Sequence, residues 1–120
     1  MYNSIVIRAR KKWIDALKTK NLYGILNCYS KVHMFKGTMR NRVTNSEQCL
    51  REYFQTLMKR EPNVTFLRSN IIKINDMYFD SGTYSFTFHG NEIVNANYQF
   101  VYEVVDGELK IVSHFSSIIR

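Results

Sequence analysis

Proline occurs once in these 120 residues and glycine five times, so no stretch has the composition of a linker. No repeat or low-complexity segment breaks the chain, and its length suits one domain over residues 1–120 rather than two. Cysteine is almost as scarce. Cys28 and Cys49 fall in segments of helical pattern, and two isolated thiols make neither a disulfide framework nor a metal knuckle. They read as small buried hydrophobes in a reducing compartment. No apolar run approaches the roughly 20 residues that cross a bilayer. The opening MYNSIVIRARKKW has no signal-peptide hydrophobic region, so a cytoplasmic location without a membrane partner is expected.

Acidic residues are outnumbered, 10 against 17 lysines and arginines, which leaves a net charge of +7. Arg8, Arg10, Lys11, Lys12, Lys18 and Lys20 crowd the first 20 residues against Asp15 alone. Such a bias raises nucleic-acid binding as a candidate function. Aromatic and basic residues do not interleave as in single-strand or RNA-binding modules, so the cluster reads as a solvated helix face. Aromatics themselves are plentiful, with eight tyrosines and eight phenylalanines, and a hydrophobic content of 45% permits a real core.

Val6, Ala9, Trp13, Ala16 and Leu17 recur at helical spacing and predict a helix over 4–20 with Trp13 buried. Leu22, Ile25, Leu26 and Tyr29 continue as a short second helix, and KVHMF (31–35) is strand-like. Thr44 and Glu47 have the spacing of a capping box that opens a helix to about Arg60. Leu50, Tyr53, Phe54 and Leu57 form its stripe, and Pro62 stops it. The rest reads as strands over 64–74, 77–89, 93–105 and 108–119, with turns at Asn75-Asp76, Gly90-Asn91 and Asp106-Gly107. In the third of these strands Val94, Ala96, Tyr98, Phe100, Tyr102 and Val104 share one face. Helices followed by a meander of long strands make an α+β class: a strongly curved antiparallel sheet wrapped around the N-terminal helices, open at one end.

The last strand contains IVSHFSSI (111–118), a histidine and three hydroxyls where aliphatics are usual. A two-residue turn at Asp106-Gly107 would pair Tyr98 with Phe115 and put His114 and Ser116 on the polar face beside Gln99 and Asn97. A three-residue loop with a glycine bulge would pair Tyr98 with His114 and Ala96 with Ser116. One residue of slip inverts the strand. Both of its faces are partly apolar, with Leu109, Ile111 and Phe115 on one and Val112 and Ile118 on the other. That pattern predicts burial against the helices on one side and against a second subunit on the other, giving at least a dimer.

FKGT (35–38), REYF (51–54), SGTYSF (81–86) and NANYQFVYEVVDGELKIVSHFSS (95–117) occur in an order that resembles the nuclear transport factor 2-like superfamily, in the group of the calcium/calmodulin-dependent protein kinase II association domains. More narrowly, the motifs are similar to those of iota-class carbonic anhydrases. That resemblance implies a cone fold and a metal-free pocket that hydrates CO2 to bicarbonate, lined by Thr38, Tyr53, His114 and Ser116 with Tyr98 and Ser117 as neighbours. It also implies the inward register for His114 and Ser116, hence the three-residue loop. The sequence departs from the family pattern at Asn97, Gln99, Leu109 and Phe115, where arginine, threonine, tryptophan and a second histidine are usual.

Hydration of CO2 needs a nucleophilic oxygen from water, which zinc supplies by lowering the pKa of bound water from about 15.7 to about 7. His33, His89 and His114 are scattered, without the i,i+4 spacing or carboxylates of a ligand set, so neither a metal nor any other cofactor is expected. In a metal-free pocket Tyr53 and Ser116 would donate to bicarbonate oxygens, Thr38 would fix the pose and His114 would pass the proton. Each residue also has a plainer role: tyrosine in a core, threonine in a turn, serine on backbone, histidine as a satisfied core group. The competing class is a non-catalytic module of the same fold that associates into oligomers or holds a small ligand.

Overall fold

A computed structural model describes residues 2–120. The elements run α1 (Tyr2–Lys18), α2 (Leu22–Leu26), β1 (Tyr29–Lys36), α3 (Glu47–Met58), β2 (Asn63–Ile74), β3 (Met77–Phe88), β4 (Glu92–Val105) and β5 (Glu108–Ile118). Periodicity alone predicts nearly all of them within two residues. The five strands form one sheet in the order β1-β5-β4-β3-β2, antiparallel except where β1 lies parallel to β5. This edge strand therefore departs from the expected all-antiparallel sheet. A parallel neighbour requires a long connection, and here most of the chain lies between the two strands. The sheet curves around the helices and does not close.

Helix α1 buries Val6, Trp13, Ala16 and Leu17, as its stripe predicts. It also buries Arg10, which its composition placed on the solvated face. The reason is a partner far along the chain. Arg10 Nη2 lies 2.7 Å from Oδ2 of the fully buried Asp80 on β3, and its guanidinium sits 4.5 Å over the Phe66 ring. The Tyr98 hydroxyl donates to the other Asp80 oxygen at 2.8 Å, so the carboxylate is held on both sides.

Helix α3 is capped by Ser46, whose side chain accepts from Cys49 N, and not by Thr44 as expected. Thr44 instead forms a two-bond bridge with Phe35, which ties the loop after β1 to that strand. Glu47 then occupies the first helical position, where a carboxylate favours the helix dipole.

Bulges bend the sheet on β2 and β5, and a third register shift interrupts β1 between Tyr29 and Met34. On β2, Leu67 is unpaired between Phe66 and Arg68, whose partners on β3 are Tyr84 and Thr83, and Gly82 is the next residue, opposite Ser69. On β5, Val112 is unpaired between Ile111 and Ser113. The turn at Asp106-Gly107 has two residues, with Val105 opposite Glu108, and both turn residues have positive φ (52° and 80°). The expected three-residue loop is therefore absent. The Val112 bulge restores the phase farther along, pairing Phe100 with His114 and Tyr98 with Ser116. His114 and Ser116 face inward, but with partners two residues removed from those expected.

Gly82 is required by the first bulge. A Cβ there would sit 1.8 Å from the Arg68 carbonyl oxygen, and backbone cannot step aside as a flexible side chain would. We predict that Gly82→Ala lowers the unfolding free energy by about 3 kcal/mol in urea denaturation.

Candidate functional site

The inward face of β5 ends in a buried polar chain. Trp13 Nε1–H on α1 donates to the Tyr29 hydroxyl at 3.2 Å. The indole can only donate, so the Tyr29 proton goes to its remaining partner, His114 Nδ1, at 2.8 Å. His114 therefore has its proton on Nε2, which donates to the Tyr84 hydroxyl at 3.1 Å. The Tyr84 hydroxyl lies in turn within hydrogen-bonding reach of Ser116 and Thr38, whose own hydroxyls are 2.6 Å apart. Thr38 extends the chain to the Tyr53 hydroxyl on α3.

Thr38, Tyr53, His114 and Ser116, expected together, are thus joined through Tyr84. The pattern of the sequence did not single out Tyr84 or Tyr29. Tyr84 lies in SGTYSF on the inward phase of β3, which was a usable signal, whereas Tyr29 was read as the end of a helix and opens β1 instead.

Tyr98 and Ser117 do not join the group. Tyr98 is inside, its ring stacked 4.7 Å from Tyr84, but its hydroxyl turns to Asp80. Ser117 follows the inward Ser116 and so points out of the sheet, exposed, where its Oγ accepts from Lys36 Nζ at 3.3 Å.

The site is closed. His114 and Ser116 are each 2% exposed, and the imidazole is stacked 4.2 Å from Phe100 with Trp13, Tyr29 and Phe35 around it. Burial pushes the His114 pKa down from 6.5 to about 3, which keeps the ring neutral through the range where a proton carrier must change charge. Burial likewise raises the Tyr53 hydroxyl, against the opposing effect of hydrogen bonding from Thr38. Space opens on the far side of Tyr53, in a cleft of about 380 Å³ lined by Phe35, Gly37, Arg40, Asn41, Arg42, Thr44, Cys49, Glu52 and Tyr53. Gly37 admits the tyrosine ring, since a Cβ there would lie 2.2 Å from Tyr53 Cε2.

The three histidines have separate surroundings: His33 on the Ser30 carbonyl, His89 beside Glu61 and His114 between two tyrosines. Among the described residues no group of three or more His, Cys, Asp or Glu side chains is placed to hold a metal, and no helix is long and apolar enough to cross a membrane.

A sequence profile of the calcium/calmodulin dependent protein kinase II association domain matches residues 3–119. The chain belongs to that family. A candidate association domain of the same description from Xanthomonas campestris superimposes with a TM-score of 0.87 at 28% identity, over 95% of this chain and 85% of that one. A candidate dehydratase of the nuclear transport factor 2-like family from Streptomyces avermitilis gives 0.85 at 12% identity, covering 98% and 95%. A Nostoc punctiforme protein with a cystatin-like fold gives 0.82 at 9%, covering 98% and 90%. The last two likenesses establish the nuclear transport factor 2-like cone fold alone. Comparison with curated proteins finds no match.

The depressed His114 pKa has a sign. Below pH 6.5 the unfolded chain takes up a proton that the folded chain refuses, so the folded state loses stability as pH falls from 6.5 towards 3. The expected slope is up to about 1.4 kcal/mol per pH unit. Urea denaturation across that range should show it, and His114→Gln should remove this part of the slope while lowering stability at neutral pH.

Proposed function

We propose that this chain is an association module whose work is to hold copies of itself together through the outer face of the sheet. The observation that supports the reading most directly is the absence of charge at the centre of that face. Over the middle of β3, β4 and β5 the outward positions are Phe79, Ser81, Thr83, Ser85, Thr87, Ile93, Asn95, Asn97, Gln99, Val101, Ser113, Phe115 and Ser117. None is ionisable, in a chain where 22% of residues are, and the charged outward residues Lys36, Arg68, Glu103 and Lys110 lie on the edge strands and at the hairpin end. An apolar row crosses this face from Met34 on one edge strand, 51% exposed, past Val101 and Phe79 to Ile72 on the other, 50% exposed. Charge depletion with an apolar centre is the mark of an interface core. A nucleic acid or an acidic partner would select lysine and arginine instead. Two copies that each have a charge of +7 approach best where neither presents a cation. The family's association domains agree with this reading.

A second reading, metal-free hydration of CO2, draws on one observation: Thr38, Tyr53, His114 and Ser116 are linked in one hydrogen-bonded group. Catalysis there needs water at Ser116 and a base that titrates near neutrality. The closed site and the neutral His114 favour the association reading.

Light scattering after size exclusion should give at least twice the 14.3 kDa chain mass at micromolar concentration. Asn97→Arg with Gln99→Arg, both exposed in the single chain, should reduce it to 14.3 kDa with the fold intact. A monomeric wild type, or a variant that stays assembled, rejects the proposal. Stopped-flow CO2 hydration addresses the second reading, which fails if the wild-type rate equals that of buffer and stands if Ser116→Ala abolishes an observed acceleration.

A further inference from the structure

The cleft beside Tyr53 contains charge that the buried network does not use. It lies between the loop after β1 and helix α3, on the helical side of the sheet and away from the outer face. At about 380 Å³ it has the size of a small-molecule site. Arg40 and Arg42 line it, and among the described residues no carboxylate lies within 4 Å of either guanidinium. The recorded side-chain contact of Arg40 is with the Tyr53 ring, 5.8 Å away. Arg42 has no recorded side-chain partner. Seven of the other basic side chains, Arg10, Lys11, Lys12, Lys20, Arg51, Arg60 and Lys110, have acidic partners.

The cleft has one carboxylate of its own, Glu52, which accepts from Gln48 Nε2 at 2.9 Å. Two guanidinium groups against one carboxylate leave a single positive charge to be matched. The remaining wall includes the edge-to-face pair Phe35 and Tyr53, ring centroids 4.9 Å apart. A guanidinium fork matches the two oxygens of a carboxylate in geometry as well as charge. We propose that this cleft binds a compact monocarboxylate, its oxygens held by Arg40 and Arg42 and its apolar body against Phe35 and Tyr53. Inorganic phosphate is a mixture of monoanion and dianion at neutral pH, and its dianion would set a second negative charge against Glu52.

The test is an amide-detected NMR titration of the full chain with benzoate, and separately with inorganic phosphate. Benzoate should shift the amides of residues 37–44 and 49–53 in a saturable way, and phosphate should bind at least tenfold more weakly. Arg40→Gln and Arg42→Gln, exposed substitutions that keep polarity and remove charge, should each weaken benzoate at least tenfold while distant amides stay in place. The proposal is overturned if benzoate gives no saturable shifts, if both variants bind it as the wild type does, or if phosphate binds as tightly. None of these outcomes depends on whether the outer face associates.

Discussion

Tyr102 and Val101 are neighbours on β4, yet their partners on β5 are Ile111 and Ser113, which leaves Val112 over. Side chains of a strand alternate between faces, so one unpaired residue exchanges the faces of everything beyond it. The tight turn at Asp106-Gly107 would by itself send His114 and Ser116 out to the solvent side with Gln99 and Asn97. The bulge turns them in and turns Phe115 and Ser117 out. A buried hydrogen-bonded chain and an outer surface without charge at its centre are two consequences of the same irregularity. Without it the interior would receive Phe115, and the outer face would receive an imidazole.

Turning polar groups inward is costly unless they satisfy one another. Here most do, in two separate sets, while Arg10 Nε and the Tyr102 hydroxyl are buried without a hydrogen-bond partner among the described residues. Asp80 is matched by Arg10 and Tyr98, so a charge in the core has its opposite charge and a hydroxyl within 2.8 Å. His114 is matched by Tyr29 and Tyr84, and the tautomer that this arrangement selects lets Trp13, Tyr29 and His114 each donate to a named acceptor. The packing that stabilises the neutral imidazole also deprives it of the proton exchange with water that acid–base catalysis requires. The same four groups that resemble a pocket are thus packed within the core.

How much of this was legible follows the range of the signal. The α1 and α3 stripes, the alternating face of β4 and the turns at Asn75-Asp76 and Asp106-Gly107 are local patterns, and they place the elements closely. Val104 alone fails its face, because it sits at the tip of a hairpin where the cone no longer covers it. The burial of Arg10 was not legible, since its cause is a carboxylate 70 residues away. Thr44 and Ser46 are equally good caps by composition, and the choice is made by a bridge to Phe35 that no local rule contains. The Val112 bulge has no sequence mark either. The expected inward phase was right through an insertion at a different place, since the turn and the bulge each shift the register and only their sum decides the face.

That sum also changes the meaning of the positions at which the chain departs from the pattern it resembles. Asn97, Gln99 and Phe115 stand where that pattern has arginine, threonine and a second histidine. Read along the sequence they flank His114 and Ser116 and look like damage to a pocket. In the fold all three point outward, Gln99 opposite Phe115 and Asn97 opposite Ser117. They leave the inner group untouched, and Asn97 and Phe115 remove ionisable side chains from the centre of the outer face. For a chain with net charge +7, a cation at position 97 would oppose its own copy across a two-fold contact, and a histidine at 115 would make that contact depend on pH. Under the association reading, neutral side chains at these positions would let the centres of two outer faces meet without charge repulsion, while the inward residues of the same strands keep the cone packed.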